Sequence, residues 1–594
     1  MEREKKGIFF YLLCVVTAIV YGLLLELSKN VVAGWVVSVV AFALFIFIWK
    51  SKLRTSKWYL KLLEWAGLFV VLAIIYYVSY PPYARVPAVS NKNPDSTDIV
   101  SLEKGDVSGV FNEDKSVEVY AGIPYAKAPV CELRFKETEE AEAWEGTLVC
   151  DHFAPKFMQS ENSTLWDSLV SIIFYNSFNW FDLDDNYREA MSEDALYVNV
   201  WKPAGDISDC PVIFYIHGGS LQTGSPSYDQ YNGEAYAKRG IVFVDFGYRL
   251  NVFGYFADEA LAEESRNNTT GNYGLLDQIA ALKWVNENIE AFGGDAGNIT
   301  IAGESAGSSS VNAICASPLT KGLFRRAIAE SSGIVANKPY HTFRDYDEAL
   351  EMKQTVYDAM GVSSVEELRE IDAKELIKAA GEYNSMTVDG YALIEHPALT
   401  YQKGENHEEA LLNGYNAKEA DVFTILGTKV TSDIYLEILK ENFGDQAEKI
   451  AELVPAGDNP KASYNTVMSV AWFAYSHNVW SRYMADEGRP AYEYWFTKEN
   501  KGLSTNHSGE LPYFYGNLYT QPQNYDESDY ELSETIMDYV VNFAKTGDPN
   551  GEGLPEWQEF STDETQILEL GNEVEMTTDI YLELYKLIDG AQGK

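Results

Sequence analysis

Gly303-Glu304-Ser305-Ala306-Gly307 follows a short apolar run, Ile299 to Ala302, and leads into a helix-like segment from Ser308. The stretch reads G-x-S-x-G at a strand-to-helix turn. A serine hydroxyl is a poor nucleophile at neutral pH. One that reacts must be held exposed on a sharp turn, with small residues on both sides and a base within reach. Glycines at both flanks permit that turn. An ordinary glycine-rich turn carries the same letters, so the surrounding pattern has to decide between the two.

From about Ser90 onward, short β-rich apolar runs alternate with amphipathic stretches, the signature of a mostly parallel sheet with helices on both faces. Val212 to Ile216 and Ile241 to Phe246 read as central strands, because parallel strands covered on both faces need not alternate apolar with polar. Between them lies His217-Gly218-Gly219-Ser220. Its order relative to the serine turn suits a loop that offers backbone N–H groups to a developing oxyanion.

A base must follow. Five of the seven histidines come after Ser305: His341, His396, His407, His477 and His507. His477 sits in an aromatic, helix-like stretch, Val467 to Tyr483, and reads as a packed histidine. His507 lies in the polar segment Ser504-Thr505-Asn506-His507-Ser508-Gly509, suited to a loop at the end of a late strand, where a general base can reach the serine.

With 46 Lys and Arg against 89 Asp and Glu, the formal net charge of the 594 residues is -43, which argues against nucleic acid as a partner. Residues 1–85 hold ten basic and four acidic residues, so the acidity belongs to the remainder. It reads as a solvated surface. Five cysteines do not make a disulfide framework, although Cys131 and Cys150 are candidates to pair. No Cys/His cluster has metal-ligand spacing, and no Walker or dinucleotide fingerprint occurs. The chemistry expected needs no cofactor.

Three apolar runs open the chain, Gly7 to Leu25, Val31 to Trp49 and about Leu62 to Tyr80, each near the ~20 residues that cross a bilayer as helix. Arg3, Lys5 and Lys6 precede the first; Lys50, Lys52, Arg54, Lys57 and Lys61 separate the second from the third. Basic loops stay cytoplasmic, so everything after Tyr80 is expected outside the cytoplasm. Glu64 weakens the third run. The expected organisation is a membrane anchor over 1–80, a stiff linker over 81–95 carrying Pro81, Pro82 and Pro87, and an enzyme domain over 96–594, in a multi-pass cell-membrane protein.

Dispersed landmarks then accumulate in order: Tyr120 to Ala126 (YAGIPYA), Leu133-Arg134-Phe135, Ser192 to Val200 (SEDALYVNV), Gly271 to Gln278 (GNYGLLDQ), Phe292 to Asp295 (FGGD), Ser317 to Phe324 (SPLTKGLF), His507 to Tyr513 (HSGELPY) and Phe543 to Asn550 (FAKTGDPN). On these residues the chain resembles the type-B carboxylesterases of the cholinesterase-like group, from about Val110 to the C-terminal region. The resemblance implies an α/β-hydrolase fold, with Ser305 as nucleophile and His507 as general base. It implies an oxyanion hole of the N–H groups of Gly219, Ser220 and Ala306, with Ser220 standing where glycine is commoner. Arg134 and Glu193 match a structural ion pair.

The resemblance also implies a triad acid in a G-x-x-x-(D/E)-(E/D)-G context, and the nearest stretch considered is Gly427-Thr428-Lys429-Val430-Thr431-Ser432-Asp433. Ungapped, Ser432 takes the acid position; one extra loop residue puts Asp433 there. Asp433 is expected, because an anion both holds the imidazole tautomer and stabilises imidazolium, whereas serine does only the first. The family's early disulfide would join positions matching Phe157 and Ala195, and both cysteines are missing. The unstapled loop between them carries Trp166, Phe174, Tyr175, Phe178, Trp180 and Phe181, as a lid, a core-packing insertion or a membrane contact. Two functions are weighed: a membrane-anchored serine hydrolase of carboxylic esters, and a catalytically impaired adhesion or scaffolding protein of the same fold.

Overall fold

The three N-terminal apolar runs all form helices in the computed structural model, which describes residues 2–592 except 54–55, 87–93, 182–185, 333–342, 380, 382, 426, 428 and 564–565. Residues 87–93 of the expected linker, Pro87 among them, and His341 therefore lie outside the described residues. The helices are α1 (Glu2–Leu27), α2 (Val32–Ile48) and α3 (Trp58–Val78). Each is long and apolar enough to cross a membrane. The third starts at Trp58 rather than at Leu62. It stops at Val78 because Pro81 and Pro82 follow closely and cannot continue a helix. Both carboxyl oxygens of Glu64, the residue that weakened the third run, are buried.

The chain forms two units, residues 1–85 with 161–190, and residues 86–160 with 191–594. In the first, α4 (Thr164–Ile173) begins at Ser163, whose hydroxyl accepts the N–H of Trp166 as an N-cap. A short parallel pairing of Tyr83–Ala84 with Arg188–Glu189 closes this unit. The segment 161–190 thus belongs with the apolar helices.

The second unit is built on a 13-stranded sheet. Its strands include β1 (Ser96–Leu102), β2 (Gly105–Phe111), β3 (Val117–Pro124), β4 (Tyr197–Pro203), β5 (Cys210–Ile216), β6 (Val242–Phe246), β7 (Gly294–Glu304), β8 (Arg326–Glu330), β9 (Ala410–Asn416), β10 (Ala491–Phe496), β11 (Gln566–Leu570) and β12 (Val574–Thr578). They lie in the order 12-11-10-9-8-7-5-6-4-3-2-1, and Thr147–Val149 adds to β2. The run β6-β5-β7-β8-β9-β10-β11 is parallel, and the pairs outside it along that order are antiparallel.

Both faces are covered. Along β5, Val212, Phe214 and Ile216 enter one core, with Leu282 of α5 (Tyr273–Asn288) and Val311 of α6 (Ala306–Ala316); Ile213 and Tyr215 enter the other, with Ile536 and Val540 of α9 (Glu527–Thr546). Burial on both faces explains why β6, β8 and β9 are buried along their whole length. Two further helices matter below, α7 (Ser432–Phe443) and α8 (Tyr475–Asp486).

Candidate active site

Ser305 stands between the last residue of β7 and the first of α6, at φ 56° and ψ −126°. A non-glycine residue at positive φ is strained by about 1–3 kcal/mol, and here the surroundings hold it there. Its N–H donates to Glu330 O (2.9 Å), and its carbonyl accepts from Ser309 N (3.0 Å). The flanking glycines are required by space. A Cβ on Gly307 would lie 2.0 Å from Ile216 O, and one on Gly303 2.6 Å from the Gly307 carbonyl carbon. The turn therefore closes onto β5 only with bare backbone on both sides of the serine.

His507 Nε2 lies 2.8 Å from Ser305 Oγ, across 202 positions of sequence. On the other side of the ring, Nδ1 lies 2.6 Å from Oε2 of Glu419, whose Oε1 accepts the N–H of Asn416 (2.7 Å). Glu419 is fully buried. It lies in the loop directly after β9, and His507 in the loop after β10; Lys418 N donates to Thr505 O (2.9 Å) and ties the two loops together. Three strands of the parallel run, β7, β9 and β10, so deliver the three groups beyond their carboxyl ends, where open α/β sheets place their sites.

The acid expected from sequence is displaced by this arrangement. Asp433 and Ser432 are exposed residues at the start of α7, and the side chain against His507 is Glu419. The stretch that carries it is Gly414-Tyr415-Asn416-Ala417-Lys418-Glu419-Ala420. It keeps the family spacing but has lysine for the first acidic residue and alanine for the closing glycine. That spacing, directly after the apolar run Ala410 to Leu412, was the available signal.

Gly219 (φ 109°) and Ser220 (φ 57°) turn the loop after β5, and Ser220 is exposed. A Cβ on Gly218 would sit 2.7 Å from Glu304 O and 3.0 Å from Ser305 Cβ, so the glycine loop and the serine turn are in close contact. Ala306 opens α6, whose N-terminal end adds partial positive charge beside Ser305. Gln159, 4% exposed, braces the far end of the loop: its amide donates to Gly224 O (2.9 Å) and to Phe157 O (3.0 Å), and its Oε1 accepts Gly224 N (3.0 Å). Sequence reading missed this brace.

Several buried carboxyls surround the histidine. Burial pushes Glu419 up to about 8, against the N–H of Asn416. Burial likewise pushes Glu304 up to about 8, against the charge of His507, whose Nε2 is 3.3 Å from Glu304 Oε1. Glu510 is pushed up to about 7, first by burial and then by Glu419. A cation formed on the imidazole is what such groups need in order to ionise. Phe423 and Phe473 pack on the His507 ring, with centroids 5.0 and 4.9 Å away, and make the surroundings of the imidazole apolar.

The other described histidines do different work. His477 is buried with Nε2 accepting Ser332 N (3.0 Å), and desolvation pushes it down to about 3. His217, in the glycine loop, is pushed down to about 4 by burial, with Nδ1 2.9 Å from Gly218 O. Arg134 meets Glu193 through two contacts of 2.6 and 2.8 Å. Cys131 is exposed and Cys150 buried, and the pairing considered from sequence is not made.

Comparison with known proteins gives a consistent result. Residues 96–587 match the family described as the Carboxylesterase family. The para-nitrobenzyl esterase of Bacillus subtilis (strain 168) is 31% identical over 511 residues, covering 81% of this chain and 96% of that protein. The fumonisin B1 esterase of Sphingopyxis macrogoltabida is 30% identical over 514 residues, covering 82% and 88%. Among solved structures, the Geobacillus stearothermophilus carboxylesterase EST55 at pH 6.2 superposes with a TM-score of 0.71 at 31% identity, covering 83% of this chain and all of that one.

Proposed function

From the premise that this chain belongs to the carboxylesterase family and is a carboxylic ester hydrolase, we propose that it works through an acyl-enzyme on Ser305, as a membrane-anchored enzyme. The observation that carries the reading is the continuous contact Ser305 Oγ to His507 Nε2 to His507 Nδ1 to Glu419, at 2.8 and 2.6 Å. His507 takes the serine proton as the oxygen attacks the ester carbonyl, and Glu419 holds the ring and stabilises the imidazolium. The N–H groups of Gly219, Ser220 and Ala306 receive the negative charge that develops on the carbonyl oxygen. His507 then protonates the departing alcohol. Water, activated by the same imidazole, releases the acid and restores the serine. The aromatic rings at His507 favour an ester with an apolar group on that side.

The scaffolding alternative finds no support, since nucleophile and base are both retained and in contact. For the anchor, α1–α3 are read as three spans, and the positive charges between α2 and α3 support a cytoplasmic loop there and a hydrolase unit outside. A fluorophosphonate probe tests the chemistry: the full chain in detergent should be labelled on Ser305, with labelling lost in Ser305→Ala and much slowed in His507→Ala. Equal labelling of the His507→Ala protein would defeat the proposed role of the imidazole.

A further inference from the structure

The segment after Ser160 leaves the hydrolase unit, joins the apolar helices, and returns at Met191. Several of its hydrogen bonds and ring contacts converge on one end of the helices. Thr164 Oγ1 donates to Ser28 O (2.8 Å), and its N–H donates to the Tyr80 hydroxyl (3.1 Å). Lys29 Nζ donates to Asn179 O (3.0 Å) and lies 4.2 Å from the Phe178 ring centroid; Asn186 donates to Asn30 O (3.2 Å). Phe181 donates its N–H to Glu26 and packs its ring 6.4 Å from that of Trp35, in the first turn of α2. Residues 28–30 connect α1 to α2, and Tyr80 follows α3. The segment is therefore fixed at the level where the helices end, opposite the end that carries Lys50, Lys52, Lys57 and Lys61.

Alongside the exposed polar residues Asp167, Asn176 and Asn179, it leaves several large apolar side chains uncovered. Trp166 is 43% exposed, Ile173 67%, Trp180 51% and Phe181 70%. The helix α4 is apolar but only ten residues long, about 15 Å, and so far too short to cross a bilayer. Tyr76, Tyr77, Tyr80 and Tyr83 stand at the same end, with the Arg188 guanidinium 4.9 Å from the Tyr80 ring centroid and 3.9 Å from that of Tyr83. Tryptophan and tyrosine gather at the headgroup level on both sides of a membrane, and Trp58 and Tyr59 do the same at the opposite end of α3.

We propose that residues 164–181 form an in-plane interfacial element, seated in the headgroup and upper acyl region of the extracytoplasmic leaflet, with membrane phospholipid as its partner. The apolar surface of the segment continues the exposed apolar surface of α1–α3, which already commits that region to lipid. Lying in the interface buries α4 and the exposed rings without any protein partner. The proposal rests on the membrane-spanning reading of α1–α3.

The test uses the full chain in phosphatidylcholine vesicles containing a phosphatidylcholine with a diazirine near the ester end of its acyl chain, with photo-adducts mapped by mass spectrometry. Adducts are expected on peptides within 164–181 as well as on α1–α3. Adducts on α1–α3 with none in 164–181 overturn the interfacial element and leave the spans standing. Adducts on neither overturn both. As a second measurement, the Trp166→Ser/Trp180→Ser variant should lose part of the tryptophan quenching produced by dibrominated phosphatidylcholine, with turnover of a soluble short-chain ester unchanged. Quenching equal to that of the parent chain would overturn the proposal independently.

Discussion

At Glu419 the carboxylate has to hold one tautomer of His507 and then repay the charge that appears on the ring. An amide does the first and not the second, so Glu419→Gln should lower kcat by ~10⁴-fold, the order seen when a triad acid becomes an amide. Asp433→Asn should stay within about twofold, because its exposed side chain is remote from the imidazole contacts described. Steady-state rates on a soluble aryl ester decide between the two. Ser305 and His507 were legible in the sequence because short local patterns announce a strained turn and a polar loop. Glu419 was not, because its local pattern carries Lys418 and Ala420 in place of family residues, while Gly427 and Asp433 come within one residue of the same spacing downstream. Glu304 offers a second test. Its carboxyl is pushed up to about 8 in the fold, against about 4.5 in an unfolded chain, so the folded state holds the proton more tightly. Both states are protonated below about 4.5; between that and about 8 the unfolded state loses its proton first, and stability falls as pH rises. Glu304→Gln removes this slope. The variant should melt close to the parent at pH 5 and increasingly above it toward pH 8, and parallel melting curves across that range would refute the assignment.

Among the elements, the loop after β5 shows how backbone is held ready. Gly219 and Ser220 both sit at positive φ, where serine is costly, and a loop free to relax would leave that conformation. Gln159 prevents this with three hydrogen bonds, two of them to Gly224, and Asn251 helps by donating to Met158 O (2.8 Å) and by giving its N–H to Leu221 O (2.7 Å). Gln159→Ala should therefore lower kcat on a soluble ester by ~10- to ~100-fold with KM changed little, since slack in oxyanion donors is felt mainly in the transition state. A rise in KM at constant kcat would show that Gln159 serves substrate binding instead. The glycine loop was legible as a motif, but its brace was not: Gln159 lies sixty residues earlier and carries no periodicity. The central strands were readable for the opposite reason. Burial on both faces makes β5 and β6 nearly continuous apolar runs, broken in β6 by Asp245, a pattern that needs no distant partner to be recognised.

Across the whole molecule, charge is divided as sharply as hydrophobicity. Residues 1–85 are net basic, with five cations between the second and third apolar runs, while the remaining residues carry all of the excess acid. In the proposed topology the negative interior of a cell retains the short basic loop, and three crossings export the chain beyond α3. The three apolar helices were readable from sequence, because hydropathy is a local sum; the affiliation of residues 161–190 with the helices was not, since only folding brings Thr164 to Ser28. Orientation is checked with a membrane-impermeant maleimide on intact cells expressing the chain. Cys131, exposed on the hydrolase unit, should label without permeabilisation. In a Cys131→Ser/Ser51→Cys variant, the new thiol in the basic loop should label only after the membrane is opened. The reversed pattern would place the hydrolase in the cytoplasm and the basic loop outside, an inverted topology against the charge rule. The Ser51 thiol makes that outcome directly readable, because it shares a helix end with Lys50 and Lys52 and moves with them.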